Sequence, residues 1–539
     1  MISIKTDRIR QGWQDGLLPA EEKQRFLLCL AAVFLWGLAA HAYGFLRASF
    51  SHDMLNALVV ENVETYWKMQ LGRPGIVLYR RLFRGLIAAP WLLGILSLLW
   101  LSLSTFLTAR LFRVRGKLFP VLVAGIMSVN LSTVAMTATY LYEMDANLFA
   151  VLLGVCAVFL WDRYGLIGSL AGIFLVAGCM GTYQSLFSVP VTLIMLLSIA
   201  ALLRGDSAAA VVRKGLIGIG MLLLGAALYY VLIRAMCAIK DINLAMDSYN
   251  SVEQASSVSV TARILHVYQT WASAFWNPGA SHVEKAVLLV NVLLPLFAFP
   301  CLLVRFFRKK GALPEKLLLA ALLLLLPLGM NTAQLSFSRD IHDLMKYSFW
   351  LFYLLCLLPF FIPAAENSAL PTPAWPRVVS VLLVLVFLVS NVQTANIVYT
   401  KKDLEQTATV SLLTRVMSRV EQTPDYLPGE TPLVFAGISE DLQAQLPGFE
   451  AYYDITGCES SSLIPNANSS YNYNAYAAAL RWLLNCPARI ADREIWTKMQ
   501  TDARVRAMPC YPADGCIQRL DDVLVIRMGE TIDPEGGLS

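Results

Sequence analysis

Eleven apolar runs, most of them near the length that crosses a bilayer, constrain this chain more than any other feature. They fall near 26–46, 86–109, 118–139, 147–161, 165–180, 186–203, 215–236, 286–304, 316–333, 347–363 and 378–397. A helix needs about 20 apolar residues to span the hydrocarbon core, so the fourth and fifth runs are short. A soluble domain carries about 25% charged residues. Here only 15% of the 539 residues are charged and 57% are hydrophobic. The pattern predicts a polytopic α-helical protein of about 11 transmembrane helices, with the lipid bilayer as its first partner.

The basic residues between the runs predict an orientation. Lys23 and Arg25 precede the first run, and Arg110, Arg113, Arg115 and Lys117 separate the second from the third. Arg163, then Arg204, Arg213 and Lys214, then Arg305, Arg308, Lys309 and Lys310 fall in alternate connections further on. With eleven spans all of these lie on one side, which the charge rule makes the cytoplasm. Residues 1–25 are then a cytoplasmic segment, 26–397 a membrane domain, and 398–539 an exported C-terminal domain. The first run lacks a clear cleavage site and reads as an uncleaved span. The net charge of +5 is local and topological, and it does not call for nucleic acid. No Walker or GxGxxG motif supports nucleotide chemistry inside. The long outward connections, 47–85 and 237–285, place any chemistry outside.

The tail reads as a small mixed α/β domain: a helix over 401–422, a strand at PLVFAG, a helix at YAAALRWLLNC and a final strand at DDVLVIRMG. Four of the ten cysteines lie here, Cys458, Cys486, Cys510 and Cys516. An even number in an exported domain predicts disulfides. Proximity in sequence suggests Cys458–Cys486 and Cys510–Cys516. Tyr452, Tyr453, Tyr471, Tyr473 and Tyr476 can stack on sugar rings.

Ionisable residues beside apolar spans are costly unless they are used or paired. Four clusters meet that description. His52 and Asp53 follow the first span, with Glu61 and Glu64 one helical turn apart beyond them. Asp53 is a general base or the N-cap of a helix over 54–69. Arg73, in the turn Gly72–Gly75, is followed by Arg80, Arg81 and Arg84 on the outward side, against the charge rule. Guanidinium groups match phosphate oxygens, so a lipid-linked phosphate or anionic headgroups would explain them. Glu143 and Asp145 occupy a short connection, 140–147, either as catalytic or divalent-cation-binding acids or as ordinary loop polarity. Tyr183 and Gln184 belong with them as sugar contacts or as a mutual hydrogen-bonding pair. The last cluster is Arg339, Asp340, His342, Asp343 and Lys346, a phosphate site or an internal ion-pair group.

The order of these motifs resembles a known family. SHDMLNALVVENVETYWKMQLGRPG followed by YRRLF is similar to the first outward region of the bacteriophage-type O-antigen glucosyltransferases, the glucosyl transferase II family, whose architecture is of the GT-C type. TATYLYEMDANLFAVLLGV with GCMGTYQSLFSVP resembles the next outward turns. NVQTANIVYTKKDLEQTATVSLLTRVMSRVE resembles the helix entering the C-terminal region. The resemblance covers most of 25–530. It implies a bacterial inner-membrane enzyme that moves glucosyl from undecaprenyl-phosphate-glucose to an O-antigen or other lipopolysaccharide glycan on the periplasmic face. Asp53 would be the base, Glu143 and Asp145 would lie at the sugar site, and Arg73 and Lys346 would contact the donor phosphate. The first loop carries one aspartate after a histidine, not a paired aspartate, so Asp53, Glu61 and Glu64 all stay open as the base. Phosphate is a good leaving group, which makes a divalent cation optional. An oligosaccharide ligase or polymerase and a lipid-linked sugar flippase are the competing readings.

Overall fold

The computed structural model describes residues 19–47, 49–51, 54–55, 61–85, 88–114, 116–244, 259–277, 285–307, 313–336, 340–362, 374–437 and 469–530. The chain is mostly helical. Among the described residues, eight helices are long and apolar enough to cross a membrane by length and composition. They include α1 (Ala20–Leu46), α4 (Pro90–Leu111), α6 (Leu131–Thr182), α7 (Ser188–Arg204), α8 (Ala208–Lys240), α10 (Lys285–Phe307), α11 (Leu313–Met330) and α13 (Ala374–Glu421). Shorter helices are α2 (Glu61–Gln70), α3 (Pro74–Phe83), α5 (Leu118–Ser128), α9 (Val260–Trp276) and α12 (Phe352–Phe361).

Burial separates the bundle into a centre and a rim. The most apolar stretch of α6 is 72% buried inside the protein, whereas that of α8 is 28% buried. The rim helices present aliphatic stripes outward. On α13, Trp375, Val378, Leu382, Val386 and Val389 recur every three or four residues and are exposed. That spacing is one face of a helix, and an exposed face so apolar suits lipid.

Helix α6 is three segments. Gly165 has φ +58°, a backbone state open to glycine, and the chain reverses there. The two arms then pack so closely that a methyl group on Gly168 would collide with the carbonyl of Leu160. The expected separation of spans at 161–165 is therefore built as a tight helical hairpin. Tyr140 is the second interruption, at φ −131° and ψ 44°. The expected connection over 140–147 shrinks to that one residue. Glu143 and Asp145 are helical and buried, so the reading of an exposed loop is corrected. Both acids sit in the first turns of a new helix, where the N-terminal dipole favours negative charge. A third break, at Val129–Asn130, divides the expected span over 118–139.

Each break leaves carbonyls without helical partners, and lipid offers none. Distant side chains supply several of the donors. The His41 Nε2 lies 2.8 Å from the Ser128 carbonyl, and its Nδ1 lies 2.7 Å from the Tyr399 hydroxyl. Tyr347 donates to Met127 O at 2.7 Å, and Asn391 to Val129 O at 3.3 Å. At Tyr140, Ser51 Oγ donates to Thr139 O at 2.8 Å, and the Lys402 ammonium donates to Ala138 O.

The basic connections gather at one end of the bundle. Arg25 donates to Val114 O, Arg110 meets Glu22, and Arg113 and Lys214 both meet Asp162. Glu315 accepts from Ala208 N, and Arg305 donates to Pro359 O.

The expected helix over 401–422 is the continuation of α13, which carries the chain without interruption from the bundle into a second core. There α14 (Ser469–Trp482), α15 (Arg493–Thr501) and α16 (Ala503–Ala507) accompany a four-stranded sheet. The sheet comprises β1 (Pro432–Ala436), β2 (Arg489–Ile490), β3 (Ile517–Leu520) and β4 (Val523–Arg527), in the order β2-β1-β4-β3. Strand β1 pairs in parallel with β2 and β4, and β3 with β4 antiparallel. The expected strands at PLVFAG and DDVLVIRMG are β1 and β4. Two expectations fail here. Tyr476 stacks on Phe435 at 4.4 Å and is buried, and Tyr473 packs edge-on against Trp496, so both serve the core. Cys486, Cys510 and Cys516 are free thiols, so the Cys510–Cys516 bridge is not formed. Cys516 is buried and its carbonyl is engaged by the Arg527 N–H of β4. Cys458, Tyr452 and Tyr453 lie outside the described residues, as does the side chain of Tyr471.

His41 predicts a measurable cost. Replacing it by alanine removes one of two donors at the Ser128 carbonyl, Thr133 Oγ1 at 3.1 Å being the other, and one of two side-chain partners of the Tyr399 hydroxyl, at about 0.5–1.5 kcal/mol for each hydrogen bond lost. A thermal-unfolding series in detergent should place His41→Ala below the parent, with His41→Gln between them.

Candidate functional site

Helices α2 and α3 bring the outward basic residues against α6. Pro74 begins α3, where its fixed φ suits the first helical position. One face of α3 carries Ile76, Val77, Tyr79 and Arg80 inward, and Arg84 continues that face one turn later. Arg81 lies on the other face and is exposed. The helix is anchored by rings: Trp100 Nε1 donates to the Tyr79 hydroxyl at 2.8 Å, and Phe83 and Phe149 pack on the same cluster.

The buried acids meet this face. Lys68 of α2 is in direct ion-pair contact with Glu143, and Arg80 Nη2 lies 4.0 Å from the same carboxylate oxygen. Arg84 grips Asp145 with two nitrogens, Nε–Oδ2 at 2.6 Å and Nη2–Oδ1 at 3.4 Å. Its Nη2 also donates to Tyr142 O. The Arg84–Asp145 pair is wholly buried, at 0% exposure for both side chains. Arg73 is close enough to act on Glu143 electrostatically. Lys68, Arg73, Arg80 and Arg84 thus face two carboxylates among the described side chains.

Arg73 is held by the turn that presents it. Gly72 has φ +72°, and a methyl group on Gly75 would come within 2.8 Å of the Gly181 carbonyl, so the turn lies directly on the end of α6. The guanidinium rests 4.5 Å from the centre of the Tyr183 ring, and its Nε donates to Gln184 Oε1 at 3.3 Å. Gln184 Nε2 donates to Leu71 O at 2.8 Å, and the Tyr229 hydroxyl to Gly72 O at 3.0 Å. Tyr183 and Gln184 therefore join the site as supports for Arg73.

The fourth cluster divides. Lys346 pairs with Asp343 at 2.8 Å, and the Asp343 carbonyl accepts from Ser132 at the start of α6. Asp340 instead meets His266 at 3.1 Å and Thr270 at 2.9 Å. His342 is partly buried beside them. His52, Asp53 and Arg339 lie outside the described residues, as does the side chain of Glu64. The residues flanking Asp53 are placed: Ser51 is bonded to Thr139 O, and Leu55 is fully buried in the core of the tail. Lys68 and Lys402 were not singled out by the sequence, and Arg84 was noted only within its basic run. Their available signals were helical spacings, Lys68 four residues after Glu64 and Arg84 four after Arg80. Among the described residues, no three His, Cys, Asp or Glu side chains converge as a metal-ligand set.

The bundle and this charge group together define a polytopic helical protein with eight candidate membrane spans and a nearly inaccessible cluster of paired charges among the described residues. The profile of the family described as glucosyl transferase GtrII matches residues 42–388, and the chain belongs to that family. Membership implies glucosyltransferase activity, and with it a sugar donor and a glycan acceptor. No curated protein and no solved structure matches the chain.

The Arg84–Asp145 pair has its own consequence. Removing one partner of a buried ion pair costs about 3–5 kcal/mol, whereas an apolar replacement of both is close to neutral. Arg84→Met should therefore unfold at markedly lower temperature, and Arg84→Met combined with Asp145→Leu should recover most of the loss. Additive losses in that double-mutant cycle would mean the two side chains do not support each other.

Proposed function

We propose that this protein transfers a glucosyl residue from undecaprenyl-phosphate-glucose to an O-antigen or related surface glycan on the periplasmic face of the inner membrane. The observation that carries the reading is the charge group of Lys68, Arg80 and Arg84 around buried Glu143 and Asp145, with half-buried Arg73 at its edge. Family membership supplies the glucosyl transfer. The basic connections gathered at the other end support a cytoplasmic assignment for that end. Eleven crossings follow if α5 with the first segment of α6 makes one, the Gly165 hairpin two, and the apolar stretch 347–361 another. The tail then lies in the periplasm.

The proposed reaction is a single displacement. An acceptor hydroxyl attacks the anomeric carbon as a carboxylate takes its proton, and the carbon–oxygen bond to the lipid phosphate breaks. The phosphate leaves with its negative charge matched by Arg73, and the anomeric configuration inverts. We assign Asp53 as the base, because Glu143 and Asp145 are occupied in holding Lys68, Arg80 and Arg84. Lys346, paired with Asp343, is a second phosphate contact in this scheme.

A transfer assay in membranes tests the assignment, with labelled polyprenyl-phosphate-glucose as donor and incorporation into glycan as readout. General-base catalysis contributes about 10²–10⁴-fold, so Asp53→Asn should lose at least the lower figure at normal expression. Full activity of Asp53→Asn removes the base, and no transfer from any polyprenyl-phosphate sugar removes the donor class. Delivery of a whole oligosaccharide would identify a ligase.

The tail is tied to the first loop through Leu55, which packs with Leu412, Val416 and the tail's sheet. Leu55→Asp should therefore depress transfer severalfold or more while the bundle remains folded and membrane-inserted. Unchanged transfer would show that the loop does not need the tail.

A further inference from the structure

The basic-loop end of the bundle holds a cavity of its own, of about 250 Å³, among α1, α4 and α6. Its walls carry four arginines, Arg25, Arg110, Arg113 and Arg163, against two acids, Glu22 and Asp162. Both acids are already engaged. Glu22 lies 3.3 Å from Arg110 Nε, and Asp162 is shared between Arg113 at 3.2 Å and Lys214. Among the described residues, positive charge is left over at the cavity.

The arginines are held in place by the protein itself. The Arg110 guanidinium lies between two rings, 5.3 Å from the centre of Phe159 and 5.5 Å from that of Phe106. Arg25 is fixed by a 2.8 Å hydrogen bond to Val114 O. Arg204, close enough to Arg113 and Asp162 to interact electrostatically, buries one guanidinium nitrogen that has no hydrogen-bond partner in the protein. Prearranged, partly desolvated donors with a positive surplus are what a phosphate oxygen requires.

The cavity also lies at helix ends that carry exposed aliphatic side chains. Gly165 turns the α6 hairpin here, and beside it Leu166 and Ile167 are exposed, as are Leu27 on α1 and Leu118 at the start of α5. These aliphatic side chains provide a surface for acyl chains directly next to the basic cavity. Basic pockets between transmembrane helices recognise anionic headgroups.

We propose that this cavity binds the phosphate of an anionic phospholipid headgroup, at the end of the bundle opposite the proposed transfer site. The ligand chemistry is a phosphodiester on a headgroup of net negative charge, with no choline cation to oppose the arginines, held by Arg25, Arg110 and Arg163 and bridged to lipid-facing aliphatics by its acyl chains.

The test uses the full chain in an uncharged detergent and follows thermal stabilisation. Short-chain phosphatidylglycerol, phosphatidylcholine of the same chain length and inorganic phosphate are titrated separately. A ligand that binds only the folded state raises the melting temperature by mass action. Phosphatidylglycerol should stabilise the protein, and phosphatidylcholine and inorganic phosphate should not. Arg110→Gln should weaken the phosphatidylglycerol response by roughly tenfold in concentration, the equivalent of one charge-assisted contact. Arg163 is exposed, so Arg163→Gln tests the same site without risk to folding, and it should shift the response severalfold. Equal stabilisation by inorganic phosphate would make this a free-anion site and overturn the lipid assignment. Equal stabilisation by phosphatidylcholine, or a response untouched by Arg163→Gln, would overturn the site.

Discussion

Hydrocarbon cannot hydrogen-bond to a backbone carbonyl, and most of this structure follows from how that shortfall is met along residues 118–164. The helical run there is interrupted at Val129–Asn130 and again at Tyr140. In water each interruption would be solvated. Inside a bundle each freed carbonyl needs a donor; Asn130 and Thr133 supply local ones at Ile126 O, Met127 O and Ser128 O, and remote parts of the chain supply others. His41 comes from α1, Tyr347 from the segment before α12, and Asn391 and Lys402 from α13. Ser51 comes from the first loop. The breaks therefore fix where α1, α13 and that loop lie. An uninterrupted helix would make no such demand.

The break at Tyr140 also governs the electrostatics of the site. A fresh helix begins at the following residue, so Glu143 and Asp145 lie near its N-terminus, where the backbone dipole helps to hold negative charge. That help is a fraction of what a buried carboxylate needs, and the remainder comes from Lys68, Arg80 and Arg84. The two charged ends of the bundle consequently differ in kind. At the proposed transfer site Lys68, Arg80, Glu143 and the Arg84–Asp145 pair are nearly inaccessible and interlocked. At the basic-loop end several of the cations are partly exposed, with Arg113 at 60%, and salt screens them more effectively.

The spans were legible because lipid-facing and interior helices are both apolar, so the hydropathy of the runs survives folding. The boundary near Gly165 was legible as well, through Arg163 between two short runs, although the hairpin geometry was not. The segment over 140–147 misled for a physical reason. Two acids in eight residues look like a water-exposed loop, and only the three-dimensional approach of Lys68 and α3 makes a buried helix of them. Arg80, Arg81 and Arg84 illustrate the same limit: the sequence marks a basic stretch, and the helical register decides that Arg81 faces out while its neighbours face in. In the tail, a tyrosine-rich stretch suggested sugar stacking, yet Tyr473 and Tyr476 fill the space beside Phe435 and Trp496. Aromatic residues do both jobs, and sequence does not separate them.

Helix α13 joins the two halves of the molecule. Its 48 residues correspond to a rod of about 70 Å. That length is more than twice the thickness of a bilayer's hydrocarbon core, about 30 Å. One end presents an apolar stripe outward, the middle lends Lys402 to the break at Tyr140, and the far end buries Leu412, Leu413, Val416 and Val420 in the tail's core. Gln406, between these positions, accepts from the Phe50 N–H of the first loop, and Leu55 enters the same tail core. The loop that contains Asp53 is therefore held on both sides, by Ser51 at the helix break and by Leu55 in the tail. A tilt of α13 would move both anchors together, because Lys402 and the Leu412–Val420 stripe belong to one rigid element. The tail thus does more than follow the bundle: through α13 it shares the framework that holds Ser51 and Leu55 of the first loop.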